Sequence, residues 1–411
     1  MGTLPGVEMV TSGLPPKFDA LDPELLIDPY PLYRRLRDES PLCRGGPATW
    51  AVTRYADVAA LLRDPRVGHA FPEELGRPDR LLGTRPNFEL PTVVSAIEPP
   101  AHTRIRAALS QALTPPVVRG MTALIERTVD ELLDTALQRG EFDAVTELAF
   151  PLQVAMTCTL VGVPEEDRAE VTRHGVALGR SLILFPFVSP ELGDGVPEAR
   201  WLRDYVAGLV AQRRRRPEDD LVSTLVTTAG RTGELSTDEI VDNVVFLFFA
   251  GFETSIHLLA SGLSALLSFP DQLARLRADP SLMTTAVEEL ARYDAPIQWI
   301  VRVTSEPVEA AGRTVRAGRM LLLLLASANR DDRQFADPDR VDIGRRPNGQ
   351  LSFGSGIHRC MGLHLGRAQA AASLRGLLRR CAELEAAGPP VVRPHPNLRG
   401  YAAVPVAVRA A

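Results

Sequence analysis

Cysteine is scarce: four residues in a chain of 411, at positions 43, 158, 360 and 381. They are too few and too far apart to form a disulfide framework. None belongs to a C-x-x-C pair, which argues against a structural zinc site. The simplest expectation is a reduced, cytoplasmic protein. An excess of one charge is also missing, with Lys+Arg at 46, Asp+Glu at 51 and a net charge of −5. Such a surface is not built to coat nucleic acid or an anionic membrane. Lysine itself is nearly absent: Lys17 is the only one and arginine carries the remaining positive charge, a bias that suits a GC-rich genome. The longest apolar runs, Val244–Phe252 and Met320–Ala326, are far short of the roughly 20 residues of a membrane helix. Residues 1–14 show no basic region followed by an apolar core, and Gly6 stands where a myristoylation signal needs Ser or Thr. No membrane anchor is expected. No repeat of 20–50 residues is visible, which excludes a solenoid.

What is present is helix-forming pattern broken by abundant proline, 34 residues in all. Asp28-Pro29-Tyr30-Pro31 opens a helix ending near Glu39. Helices are also expected over Ala56–Arg63, Pro100–Leu113, Leu148–Val161, Trp201–Arg214 and Ser281–Tyr293. Over Thr122–Arg139, Leu124, Ile125, Val129, Leu132, Leu133 and Ala136 share one face. The run Arg213–Arg216 reads as a solvated helix end, where cations suit the macrodipole. Ser236-x-x-Glu239 is a capping box, and the apolar pattern after it continues to about Phe269. A helix this long and apolar must cross the centre of the fold. Ala250-Gly251 in its middle is a weak point, because glycine costs about 1 kcal/mol in a helix interior, and a packing or functional reason is expected there. Trp50–Thr53 reads as a strand and Val308–Arg316 as a hairpin around Gly312. Phe71–Ser95 and Ser181–Gly195 read as irregular segments. The whole is mainly α with a small β part.

The segment Phe353-Gly354-Ser355-Gly356-Ile357-His358-Arg359-Cys360-Met361-Gly362 carries the chemistry. Three glycines surround one cysteine, and a helix pattern follows at once. Glycine lets backbone approach a flat ligand closely, and a cysteine at a helix N-terminus is favoured as thiolate. A lone cysteine would read as a buried structural residue; the ten-residue pattern points to a reactive one.

The segment resembles the haem loop of the cytochromes P450, Phe-x-x-Gly-x-x-x-Cys-x-Gly, matched at Phe353, Gly356, Cys360 and Gly362. The resemblance implies haem b as cofactor, Cys360 as the axial iron ligand, and the family's triangular helical prism around the haem. A thiolate ligand favours O–O cleavage. It implies a single domain over residues 1–411, with the haem loop at 353–362 and the central helix at about 237–269. Glu289-Leu290-Ala291-Arg292 is similar to the family's Glu-x-x-Arg motif, a buried structural pair; on a helix, i and i+3 share a face. Ala250-Gly251-Phe252-Glu253-Thr254 is similar to its oxygen-binding motif. A small residue leaves room beside the helix, and Glu253 with Thr254 forms an acid–alcohol pair suited to proton delivery. The other reading of Thr254 is a hydroxyl bonded back to its own helix. Haem carries two propionates, and His102 and Arg106, one helical turn apart, with Arg302 and His358, match the family's propionate contacts.

The resemblance runs from Asp28 to the end of the chain, with Gly366, Gln369 and Ser355 as mild departures. It implies a monooxygenase that uses O2 and takes electrons from a ferredoxin fed by an NAD(P)H-dependent reductase. Arg104, Arg359 and Arg367 are candidates for docking an acidic ferredoxin. The pocket implied by the family is apolar here: Val93, Val94, Leu184, Val245, Phe246, Phe249, Ala250, Ile297, Trp299 and Ile300. Each of these could instead be core. The favoured substrate is a macrolide or polyketide, hydroxylated or epoxidised in secondary-metabolite biosynthesis. The alternatives are a terpenoid, steroid, fatty acid or peptide, a haem-thiolate enzyme that uses peroxide or couples phenols, and a non-catalytic haem sensor.

Overall fold

The computed structural model describes residues 17–46, 48–69, 90–182, 196–232 and 235–411. The central helix, Thr237–Ser268, organises the rest. Ser236 Oγ accepts from the Glu239 amide while the Glu239 carboxylate accepts from the Ser236 amide, so the capping box forms as expected. Nearly every side of this helix is covered. It packs against Phe150–Val161, Arg168–Leu182, Val196–Arg215, Met283–Tyr293 and Leu363–Arg380, and Phe248, Leu263 and Leu266 are fully buried. Two helical stretches, Ala144–Val161 and Thr237–Ser268, have mean hydropathies of 1.4 and 1.6 and would be long and apolar enough to cross a membrane. Burial explains that apolarity, because the central helix supplies both principal apolar clusters of the core.

The β part is divided between a larger sheet with its own apolar cluster and strands that pack on this helical body. A five-stranded sheet has the order Leu42–Gly46, Thr49–Val52, Met320–Leu323, Ile300–Thr304, Val67–Gly68. Only the pairing of Thr49–Val52 with Met320–Leu323 is parallel. Pro405–Ala410 pairs antiparallel with both Glu141–Asp143 and Cys381–Ala386, and the expected hairpin joins Val308–Ala310 to Arg313–Val315.

The helix around Thr122–Arg139 begins earlier than its apolar face suggested, at Pro115, because Pro115 and Pro116 occupy the first turn, where a missing N–H costs nothing. The run Arg213–Arg216 is only partly a solvated end. Arg213 is buried, ion-paired with Asp220 and Glu218, and donates to the Gly162 carbonyl. Residues 71–89 and 183–195, most of the two irregular segments, lie outside the described residues.

Candidate active site

The cysteine loop is shaped by glycine at two positions. Gly354 and Gly356 have φ of +66° and +70°, and a Cβ on Gly356 would lie 2.3 Å from the Leu62 carbonyl oxygen. Gly356 therefore fixes the turn against the helix end at Leu62. The Cys360 amide donates to the Phe353 carbonyl at 2.8 Å and closes the loop, and Leu363–Arg380 starts directly after it. Cys43, Cys158 and Cys381 are buried in packed layers, whereas Cys360 lies inside the fold but opens onto a cavity. Burial pushes its thiol up, while the Gly362 amide and the charges of Arg106, Arg367 and Arg359 pull the other way.

That cavity, of about 250 Å³, lies between the cysteine loop and the central helix. Phe353, His358, Cys360, Met361 and Gly362 form one wall, and Phe246, Leu247, Ala250, Gly251, Thr254 and Leu258 the other. Val94, Arg106 and Ile297 complete its rim. Thr254 Oγ donates back to the Ala250 carbonyl at 2.8 Å, so the hydroxyl sits on the cavity wall but is tied to its own helix. Glu253 is not on that wall. Its carboxylate is gripped by Arg393, Nη1 to Oε1 at 3.0 Å and Nη2 to Oε2 at 2.7 Å. Burial would raise the Glu253 carboxyl; Arg393 outweighs it and holds the group below its usual range.

One end of the cavity is polar. The His358 ring lies 4.4 Å from the His102 ring and 4.7 Å from that of His69, centroid to centroid. Both ring nitrogens of His102 and of His358, and Nε2 of His69, are buried without a hydrogen-bond partner among the described residues. Arg302 is buried beside them and Arg106 donates to the Arg359 carbonyl. Burial, then the neighbouring Arg302, pushes His69 and His358 down to about 2 and about 3. Burial pushes Arg302 down to about 10. Glu98 is the carboxylate near this group; it accepts from the His69 amide at 2.6 Å and lies 4.0 Å from His358. Two guanidiniums and three imidazoles around one carboxylate form a receptor for further anions.

Other expected pocket residues sit elsewhere. Val245 is fully buried in the helical core and Val93 packs in the same cluster. Phe249 packs edge-on against Phe246, 5.1 Å between centroids. Trp299 is wholly buried and donates from Nε1 to the Pro396 carbonyl at 3.0 Å. Ile300 packs against the sheet cluster. None of these five lines this cavity; Val93, Val245 and Trp299 are buried, and Phe249 and Ile300 are partly buried. Leu184 lies outside the described residues. Glu289 and Arg292 are fully buried and bidentate at 2.8 Å; Arg345 adds a second cation, and Arg292 also donates to the carbonyls of Asn329, Pro338 and Arg340. The pair knits the cysteine side of the fold and does not reach the cavity.

Sequence reasoning missed His69, which directly follows a two-residue strand, Val67–Gly68, paired with the strand of Arg302. It also missed Arg393, which lies 140 residues from Glu253. His257 could have been found, since it stands one helical turn from Glu253.

Fold and site together define a helical protein with a slot for a flat, anion-bearing cofactor, held between a cysteine loop and a long central helix. The family model for Cytochrome P450 matches residues 52–393. The cytochrome P450 monooxygenase PikC of Streptomyces venezuelae is 35% identical over 96% of this chain and 95% of its own length. The 6-deoxyerythronolide B hydroxylase of Saccharopolyspora erythraea is 36% identical over 86% and 89%. Among solved structures, P450BioI in complex with hexadec-9Z-enoic acid ligated acyl carrier protein superposes with a TM-score of 0.86 at 32% identity, over 94% of this chain and all of that one. The chain belongs to the cytochrome P450 family and is a monooxygenase whose cofactor is haem b. The residues present fit that group: a cysteine open to the cavity on one wall, small residues opposite, and unpartnered imidazoles at the end where two carboxylates require partners.

Proposed function

We propose that this monooxygenase hydroxylates or epoxidises a macrolide or polyketide. The observation that carries the reading is similarity along nearly the full chain to PikC and to a hydroxylase named for the macrolactone 6-deoxyerythronolide B. The apolar cavity wall of Val94, Phe246, Leu247, Ala250 and Ile297 supports it, since such a wall suits a large ligand with few charges. A second reading, a fatty-acyl substrate, is favoured by the likeness to P450BioI with its acyl carrier protein.

In this reading Cys360 holds the haem iron, and His102, Arg106, Arg302 and His358, with His69 added, hold the propionates. The bound haem supplies activation of O2 and transfer of one oxygen atom to substrate. Ala250 and Gly251 leave room beside the central helix. Thr254 presents its hydroxyl at the cavity, and Glu253 supplies protons from behind the wall. Electrons come from a ferredoxin and its NAD(P)H-dependent reductase. The protein works in the cytoplasm as one domain over residues 1–411.

The test is a titration of the ferric holoenzyme with 6-deoxyerythronolide B and, separately, with hexadec-9Z-enoic acid, followed by the haem absorbance. A saturable spectral shift at micromolar macrolactone, with oxygenated product when electrons are supplied, is expected. A shift and product with the fatty acid alone would replace the first reading with the second.

A further inference from the structure

Toward its C-terminal end the central helix carries a polar stripe, on the same flank as Phe246 and Ala250 but farther along the axis, of which the site described above uses only Glu253. Glu253, His257, Ser261, Ser264 and Ser268 follow one another at spacings of four, four, three and four, which places them within one narrow arc of an α-helix. The first four are buried, His257 to 3% exposure and Ser261 to 2%. Both ring nitrogens of His257 and the Ser261 hydroxyl have no hydrogen-bond partner among the described residues. Buried polar groups in native proteins are almost always partnered, by protein or by internal water. The backbone at Gly400 closes over the ring, since a Cβ there would lie 2.0 Å from His257 Nδ1. His395 stands close to Glu253 and His257. Its Nδ1 accepts the amides of Asn397 and Leu398 at 3.2 and 2.9 Å, so the ring hydrogen sits on Nε2 when the ring is neutral, and that atom too is unpartnered. The outer end of the stripe opens on a surface cleft of about 660 Å³ lined by Ser261, Ser264, Ser268, Asp294 and Tyr401. Buried carboxylate, unpartnered imidazole, unpartnered hydroxyl and open cleft therefore lie in series along one helix.

We propose that the Glu253–His257–Ser261–Ser264 face is the route by which protons from solvent reach the Glu253 carboxylate, with His257 as the relay between internal waters. His257 takes a proton at its bare ring nitrogen from water on the Ser261 side and, as the ring turns, releases that same proton to water on the Glu253 side. One proton enters and the same one leaves, no bond between heavy atoms changes, and the ring returns to the neutral tautomer it started from. The charged and titratable groups facing His257 are Arg393, Glu253, His395 and Asp294. Burial, then Arg393, pushes the ring down to about 4, which keeps it neutral near pH 7, as a group that both accepts and donates must be. This inference rests on the reading of Glu253 as proton supplier.

The test compares His257→Phe, His257→Gln, Ser261→Ala and Glu253→Gln in the holoenzyme. NADPH-driven O2 consumption is measured in H2O and D2O, with a plant-type ferredoxin and its reductase as electron source and 6-deoxyerythronolide B present. Expected are a roughly tenfold or greater slowing in His257→Phe with a larger solvent isotope effect, partial recovery in His257→Gln, and a smaller loss in Ser261→Ala. A high-resolution crystal structure of the wild-type holoenzyme, a readout independent of turnover, is expected to show ordered waters joining Glu253, His257 and Ser261. The band of the reduced CO complex establishes that each variant holds its haem; if His257→Phe fails this check, Ser261→Ala and His257→Gln decide. If Glu253→Gln slows consumption while the His257 and Ser261 variants do not, the route is overturned and the role of Glu253 stands. If none slows it, both readings fail. A dry stripe in the crystal also overturns the route.

Discussion

A buried imidazole held neutral makes stability depend on acidity, and His257 is the clearest instance. Its folded value lies at about 4, with burial first and Arg393 second as causes, against about 6.5 in an unfolded chain. Between these values the unfolded chain binds the extra proton, so stability falls as pH drops from about 6.5 toward 4, by at most about 1.4 kcal/mol per pH unit for this group. Glu253 acts lower on the scale. Its folded value is depressed, so the stability it contributes is complete above the ordinary carboxylate value and is lost only as pH falls through the folded one. Thermal midpoints of the ferric holoenzyme at pH 7 and pH 5 should therefore differ more in wild type than in His257→Phe; an unchanged difference would place the titration elsewhere. Gly400→Ala should lower the midpoint at both pH values, because its methyl group would collide with the His257 ring.

At the scale of elements, the Glu289–Arg292 pair offers the sharpest stability prediction. Both residues are fully buried, and Arg292 also satisfies three backbone carbonyls. Arg292→Ala should cost about 3–5 kcal/mol, because it strands a buried carboxylate, although Arg345 stays beside Glu289 to soften the loss. Thermal denaturation of the apoprotein measures it without interference from the cofactor, and a change below about 1 kcal/mol would show the pair to be dispensable. The elements legible in the sequence are those with local signals. The central helix announced itself through Ser236 and Glu239, and the cysteine loop through its glycines. Met320–Leu323 reads in the sequence as part of an apolar run and not as a strand, since all four residues are buried and show no alternation. His69 and Arg393 were illegible for a related reason: strand pairing and a long-range ion pair bring them to the site, and no spacing encodes either. The same limit explains Trp299 and Val245, where an apolar side chain gives no hint of whether it faces a cavity or a neighbouring helix.

At the scale of the whole molecule, a chain with net charge −5 has to receive electrons from a partner protein. If that partner is an acidic ferredoxin, attraction must come from a local patch of uncompensated cations. Of the three arginines expected to supply it, two are already engaged. Arg104 is bidentate with Glu239 at 2.6 and 3.0 Å, and Arg367 pairs with Glu288 while covering the Phe353 ring. Arg359 differs: it is exposed, and its guanidinium has no ion pair among the described residues, while its backbone is held by the donation from Arg106. Its charge is thus available one residue from Cys360, on a loop whose geometry does not depend on it. Arg359→Glu should slow reduction of the haem by a ferredoxin several-fold at low salt, and the difference from wild type should shrink as ionic strength rises and screens the surface. Arg104→Glu should instead act mainly through stability, since it sets two carboxylates against each other at the start of the central helix. Stopped-flow reduction at two salt concentrations separates the effects. A salt-independent defect in Arg359→Glu, or an equal steering defect in Arg104→Glu, would move the docking face away from the cysteine loop.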